Sequence, residues 1–126
     1  MLYSVETDTP VESIKSTIEE RAKEYKFGLL KDYNFKEILE LKNLPIENEI
    51  HVFELCFAPL AQQVLQSMPQ MSVYLPCRIS IFEKNDKTVM TTISMDEIVS
   101  NFDLPKEFKD EMVIVYERLQ QLMKSF

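Results

Sequence analysis

The sequence predicts an α+β domain: a single, mostly antiparallel sheet with helices packed on one face. Three observations lead there. Five short segments alternate apolar and polar residues or run through β-branched ones, which is the signature of strands. Two of these flank the polar turn Lys84-Asn85-Asp86-Lys87 and so form a hairpin, which makes neighbours antiparallel. The helical segments between the others are unevenly spaced, whereas a regular βαβ alternation would have pointed to a parallel sheet. No repeat, low-complexity tract or Ser/Gly linker divides the 126 residues, so they read as one domain, 1–126. A chain of that length buries roughly two-thirds of its unfolded surface and needs no staple.

Residues 2–6 open the chain as a strand, with Leu2, Ser4 and Glu6 alternating against Tyr3 and Val5. Thr9, Pro10 and Glu12 then have the spacing of a capping box with proline at the first helical position. Val11, Ile14, Ile18, Ala22 and Tyr25 recur at three- and four-residue intervals, giving this helix one buried face. Gly28, the only glycine, follows it, where a positive φ can end a helix or a backbone can come close. A second strand runs from there to Tyr33. Asn34 with Glu37 repeats the capping signature ahead of a short helix of Phe35, Ile38, Leu39 and Leu41, which stops before Pro45.

The strand over residues 50–57 divides by parity: His51, Phe53, Leu55 and Phe57 on the core side, Ile50, Val52, Glu54 and Cys56 on the other. Pro59 opens and Pro69 closes a helix whose apolar side is Ala61, Val64, Leu65 and Met68. Beyond Val73-Tyr74-Leu75-Pro76 the next strand sets Cys77, Ile79 and Ile81 against Arg78, Ser80 and Phe82, and residues 88–93 return beside it. Ser94 with Glu97 marks a helical turn carrying Ile98, Val99 and Phe102. Pro105 starts the longest helix, with Phe108, Met112, Val115, Tyr116, Leu119, Leu122, Met123 and Phe126 as its stripe.

Composition removes several function classes. Twenty-one acidic residues against fourteen basic ones give net −7, and no Lys/Arg stripe exists to displace counterions from phosphates, so nucleic acid is not a partner. No apolar run approaches the roughly 20 residues that span a bilayer, and the segment MLYSVETD lacks the features of a signal peptide, so the expected location is cytoplasmic, with no membrane partner. Cys56 and Cys77 are then expected to be free thiols in a reducing compartment. One glycine cannot build a phosphate-cradling loop or a nucleophile elbow. The pairs Glu19-Glu20 and Asp110-Glu111 fall on helix surfaces as solvated charge.

His51 is the sole histidine, so any histidine-dependent chemistry would run through it. Its spacing from Cys56 and Cys77 supplies neither a short ligand pair nor the four ligands of structural zinc, and no metal or cofactor is expected. Met68, Met71, Met90, Met95 and the methionines of the last helix suit either core filling or an adaptable binding surface, the former being commoner.

At Phe27-Gly28, at Glu54-Leu55-Cys56 with Pro59 and Val64-Leu65, and above all at Leu75-Pro76-Cys77-Arg78-Ile79 with Ile81 and Glu83, the sequence resembles the bacterial and archaeal domain-of-unknown-function family number 302. The likeness covers nearly the whole chain up to the hairpin and the turn after it. It implies a fold like that of the TATA-binding protein and a homodimer, with no settled biochemical role. The sequence departs from the usual pattern at Phe57-Ala58 and in its long C-terminal helix.

The candidate site is Glu54, Cys56, Pro76, Cys77 and Arg78. If the strands carrying them are neighbours, Glu54, Cys56 and Arg78 can meet, and a guanidinium beside Cys56 would favour the reactive thiolate. The plainer alternative is a Glu54–Arg78 pair with Cys56 as apolar filler. Cys77, sharing a face with Ile79 and Ile81, is expected to be buried and inert. Two functions follow: a non-enzymatic, homodimeric module binding a partner protein or small ligand against the sheet, or a thiol-dependent redox or sulfur-handling activity centred on Cys56.

Overall fold

The computed structural model describes residues 1–101 and 103–126. The elements follow in the order β1 (Leu2–Thr7), α1 (Val11–Glu24), β2 (Gly28–Asn34), α2 (Phe35–Leu41), β3 (Ile50–Cys56), α3 (Ala58–Ser67), a 3₁₀ segment (Pro69–Val73), β4 (Cys77–Lys84), β5 (Lys87–Ile93), α4 (Met95–Asn101) and α5 (Lys106–Lys124). The strands form one sheet in the order β1-β5-β4-β3-β2, and every neighbouring pair is antiparallel. The α+β architecture expected from the sequence is the one observed.

The register explains why one face is packed and the other is not. Leu55 lies opposite Cys77, Phe53 opposite Ile79 and His51 opposite Ile81, while Ile81 meets Met90 and Met90 meets Val5. Side chains alternate across a strand, so all of these point to one side, and all except half-buried Val5 are buried. Onto this side α1 lays Val11, Ile14, Ile18 and Ala22, and α5 lays Met112, Val115, Tyr116, Leu119, Leu122 and Met123. Each such aliphatic side chain contributes about 1.5–3 kcal/mol by leaving water. Met71 and Met90 are buried as well, so the methionines serve mainly as core.

Four local expectations are corrected. Pro10, not Thr9, is the N-cap of α1, and no side chain caps that end. The Thr9 hydroxyl donates instead to the carbonyl of Phe126, which also accepts from Thr7 Oγ1 at 2.9 Å. Arg21 donates to the Ser125 carbonyl at 2.8 Å and lies 4.4 Å from the centre of the Phe126 ring, so the last turn of the chain is fastened to the first helix. The left-handed residue that ends α1 is Lys26 (φ 72°), not Gly28, and a Cβ on Gly28 would meet nothing within 4 Å. The side chain of Ser94 does not cap α4, since its hydroxyl is buried without a hydrogen-bond partner. Phe57 leaves β3 to become the N-cap of α3 and is only half-buried.

The capping signal at Asn34 does hold, its Oδ1 accepting from the Glu37 N–H at 3.2 Å. Ile98 is buried under α4, whereas Phe102, read as part of the same apolar face, lies outside the described residues. A bulge in β2 falls between Leu29 and Lys31 and leaves Leu30 60% exposed. It also shifts the parity of the edge strand, which brings Tyr33 to the uncovered side of the sheet.

Candidate functional site

The uncovered face has a charged centre built by register. Glu54 in β3 sits directly opposite Arg78 in β4 and opposite Lys31 in β2. Its Oε2 accepts from Arg78 Nε at 3.1 Å and its Oε1 accepts from the Tyr33 hydroxyl at 2.8 Å. Both carboxylate oxygens are therefore satisfied, and Glu54 is only 8% exposed although no helix covers it. The hydrogen bond from Tyr33 does most to hold its carboxyl below the ordinary glutamate value, and Arg78 adds to this in the same direction. The same bond raises the Tyr33 hydroxyl above its ordinary value. Ile50, Val52 and Phe82 surround this network as half-buried apolar neighbours, with Val89 buried beside Phe82.

Arg78 is 57% exposed, and among the described residues only its Nε is engaged by a carboxylate. A guanidinium carries five N–H donors in a flat fork, and more than half of the Arg78 side chain is open to solvent.

The other three candidates gather elsewhere. Cys56, Pro76 and Cys77 line a small apolar cavity of about 30 Å³, closed by Leu60 and Val64 of α3 and Met112 of α5. Both cysteines are free. Burial pushes the Cys77 thiol up to about 11 and raises that of Cys56 as well. The expectation that Arg78 would drive Cys56 toward thiolate is thus not what the electrostatics give: the guanidinium is held by Glu54, and the shift at Cys56 comes from lost solvation alone. Cys77 is 5% exposed, in keeping with its place beside Ile79 and Ile81.

His51 is buried at 1%, stacked on Phe53 with ring centres 6.4 Å apart. Its Nε2 has no hydrogen-bond partner, the nearest carboxylate oxygen being Glu49 Oε2 at 3.7 Å. Among the described residues no group of three or more His, Cys, Asp and Glu is arranged to hold a metal ion, and no helix is long and apolar enough to cross a membrane.

Sequence reasoning brought Glu54 and Arg78 together and missed Tyr33. Its hydroxyl was findable only by knowing that β2 neighbours β3 and that a bulge precedes it. The pieces now define a class: a small α+β module with a one-sided antiparallel sheet and a polar triad at the centre of its bare face. The family of the domain of unknown function DUF302 matches residues 3–126, so the chain belongs to that family, and the match runs through the C-terminal helix that looked like a departure.

A crystal structure described as that of an uncharacterised conserved DUF302 protein from Bacillus stearothermophilus has the same fold, with a TM-score of 0.86 and 22% identity. The match covers 98% of this chain and 95% of that one. No curated protein matches this chain.

The triad can be tested by denaturation of Arg78→Ala, Glu54→Ala and the double variant. Because the guanidinium is exposed and water can replace it, the expected coupling is about 1 kcal/mol, not the larger value of a buried pair. The pH sign follows from the lowered carboxyl of Glu54. Its contribution is complete above the ordinary glutamate value of 4.5 and fades as pH falls through the lower folded-state value. The stability gap between wild type and Glu54→Gln should therefore close on acidification below that point. A gap independent of pH from 7 down to the acid transition would rule the assignment out.

Proposed function

We propose that this chain is a non-enzymatic recognition module that works as a homodimer in the cytoplasm and binds a partner protein on the uncovered sheet face. The supporting observation is the state of that face. It presents half-buried Ile50, Val52 and Phe82 around an arginine that a satisfied carboxylate holds through Nε and whose side chain is 57% exposed. Fixing Arg78 before binding lowers the entropy lost on association, and a guanidinium fork suits a carboxylate. The partner segment is accordingly one that joins aliphatic side chains to an acidic residue.

Selection of a displayed peptide library on the immobilised protein should enrich such segments. Arg78→Ser and Phe82→Asp, each checked for an unchanged fold by circular dichroism, should abolish the enrichment. Enriched peptides that bind both variants as well as wild type would defeat the assignment of this face.

The dimer contact in this reading is the outer flank of α5. Val113 and Ile114 are exposed at 38% and 54%, next to a groove formed with Phe57 and Pro59 of the α3 start and floored by Leu60 and Val115. Light scattering at tens of micromolar should give twice the 14.9 kDa of one chain, and Ile114→Asp should return the monomer mass. A monomeric wild type would remove the dimer from the proposal while leaving the sheet face untouched.

One observation favours the thiol-dependent reading: Cys56 and Cys77 border the same cavity. The raised thiols argue against it, because the thiolate is the attacking form. Alkylation of the native protein followed by mass spectrometry is expected to be slow at both cysteines at pH 7, with half-exposed Cys56 ahead of buried Cys77 and gaining speed as the pH rises past the ordinary thiol range. Rapid modification of Cys56 alone at neutral pH would reverse the preference between the two readings.

A further inference from the structure

The cavity at the two thiols is lined by one kind of heteroatom. No side chain around it carries nitrogen or oxygen, and the sulfurs of Cys56, Cys77 and Met112 are the only atoms there able to bind anything other than by apolar contact. They come from three elements: Cys56 is the last residue of β3, Cys77 the first of β4, and Met112 belongs to α5. The register that sets Leu55 opposite Cys77 brings the end of one strand to the start of the other, and the buried face of α5 closes over them. The volume of about 30 Å³ exceeds the roughly 10–15 Å³ that one water-sized occupant needs. A water molecule there would find no nitrogen or oxygen among the side chains, so the space does not suit water.

Thiol and thioether sulfurs are soft donors, which select soft ions and leave hard ones to carboxylates, carbonyls and water. Among the described residues His, Cys, Asp and Glu do not gather in threes, but here a thioether supplies the third donor. Access runs past Cys56, which is half-exposed, whereas Cys77 and Met112 are buried. The Tyr116 hydroxyl donates a hydrogen bond to the Cys77 sulfur from outside the cavity, the kind of contact that orients a metal-bound thiolate. The two thiols also feel each other, since negative charge on Cys56 adds to what raises Cys77, and a cation between them offsets that repulsion.

We propose that Cys56, Cys77 and Met112 form a binding site for a single Cu(I) ion. As the ion enters, one thiol releases its proton to solvent and a copper–sulfur bond takes the place of the sulfur–hydrogen bond. One monovalent cation and one thiolate leave the cavity without net charge, which suits its apolar walls. The second cysteine and the thioether complete a three-sulfur coordination, and nothing is oxidised or reduced. The site uses neither Arg78, Glu54 nor Phe82, so its fate is separate from that of the sheet-face reading.

Anaerobic titration of the reduced protein with Cu(I), in competition with the chelator bicinchoninate, should load one ion per chain. X-ray absorption of the loaded wild type, which needs no variant, should show three sulfurs as the nearest neighbours of copper and no nitrogen or oxygen. Cys56→Ser and Cys77→Ala should each abolish transfer from the chelator. Met112→Leu, which nearly keeps the core volume, should weaken binding by about tenfold. No transfer to the wild type, a nearest shell containing nitrogen or oxygen, wild-type affinity in Met112→Leu, or Cu(I) held as tightly after both cysteines are replaced would each overturn the proposal.

Discussion

The pairing of β3 with β4 is the constraint on which the rest of this structure depends. With Leu55 set opposite Cys77, Phe53 opposite Ile79 and His51 opposite Ile81, the two strands present a packed surface that is apolar except at His51. A slip of one residue would turn Glu54 and Arg78 into the core and the isoleucines into water. The same register puts Glu54 across from Arg78. Core and polar centre are two sides of one alignment, and neither can be moved without the other.

That dependence also explains why the two faces differ so much in character. The packed side is closed by side chains from helices at both ends of the sequence, and Ser125 and Phe126, just past α5, are tied back to Thr7, Thr9 and Arg21. The bare side has no such cover, so its glutamate is shielded by its own neighbours. Burial of a carboxylate under a tyrosine and an arginine, without a helix above them, keeps a charged group fixed while leaving the arginine accessible.

Much of this was readable from residue order. Parity in residues 50–56 and 77–82 assigned the core side of both strands, because alternation survives whatever the neighbours are, and it failed at Phe57, where the strand has ended. The Asn34 cap was legible because its partner lies three residues away. Thr9 has the same spacing signal, yet its hydroxyl is claimed by a carbonyl 117 residues further along, a competitor that no local pattern reveals. Gly28 suggested a left-handed turn, but Lys26 adopts that conformation, so the only glycine was a misleading marker. The joining of Cys56 to Arg78 failed for a related reason. Parity gives the face of a residue and not its position along the strand, and Glu54 is the residue that register sets against the guanidinium. Tyr33 depends on where an edge strand bulges, which is a property of the assembled sheet.

The bulge at Leu30 makes the two margins of the sheet unequal. Both β1 and β2 carry backbone donors and acceptors on their outer sides, and such rows can template the addition of another strand. In β2 the extra residue breaks the regular spacing of those groups, whereas β1 pairs with β5 without interruption from Leu2 to Thr7. The N-terminal strand is therefore the vulnerable margin. Under crowding or partial unfolding, ordered aggregation would grow from β1 in one direction, and the opposite margin would act as a stop.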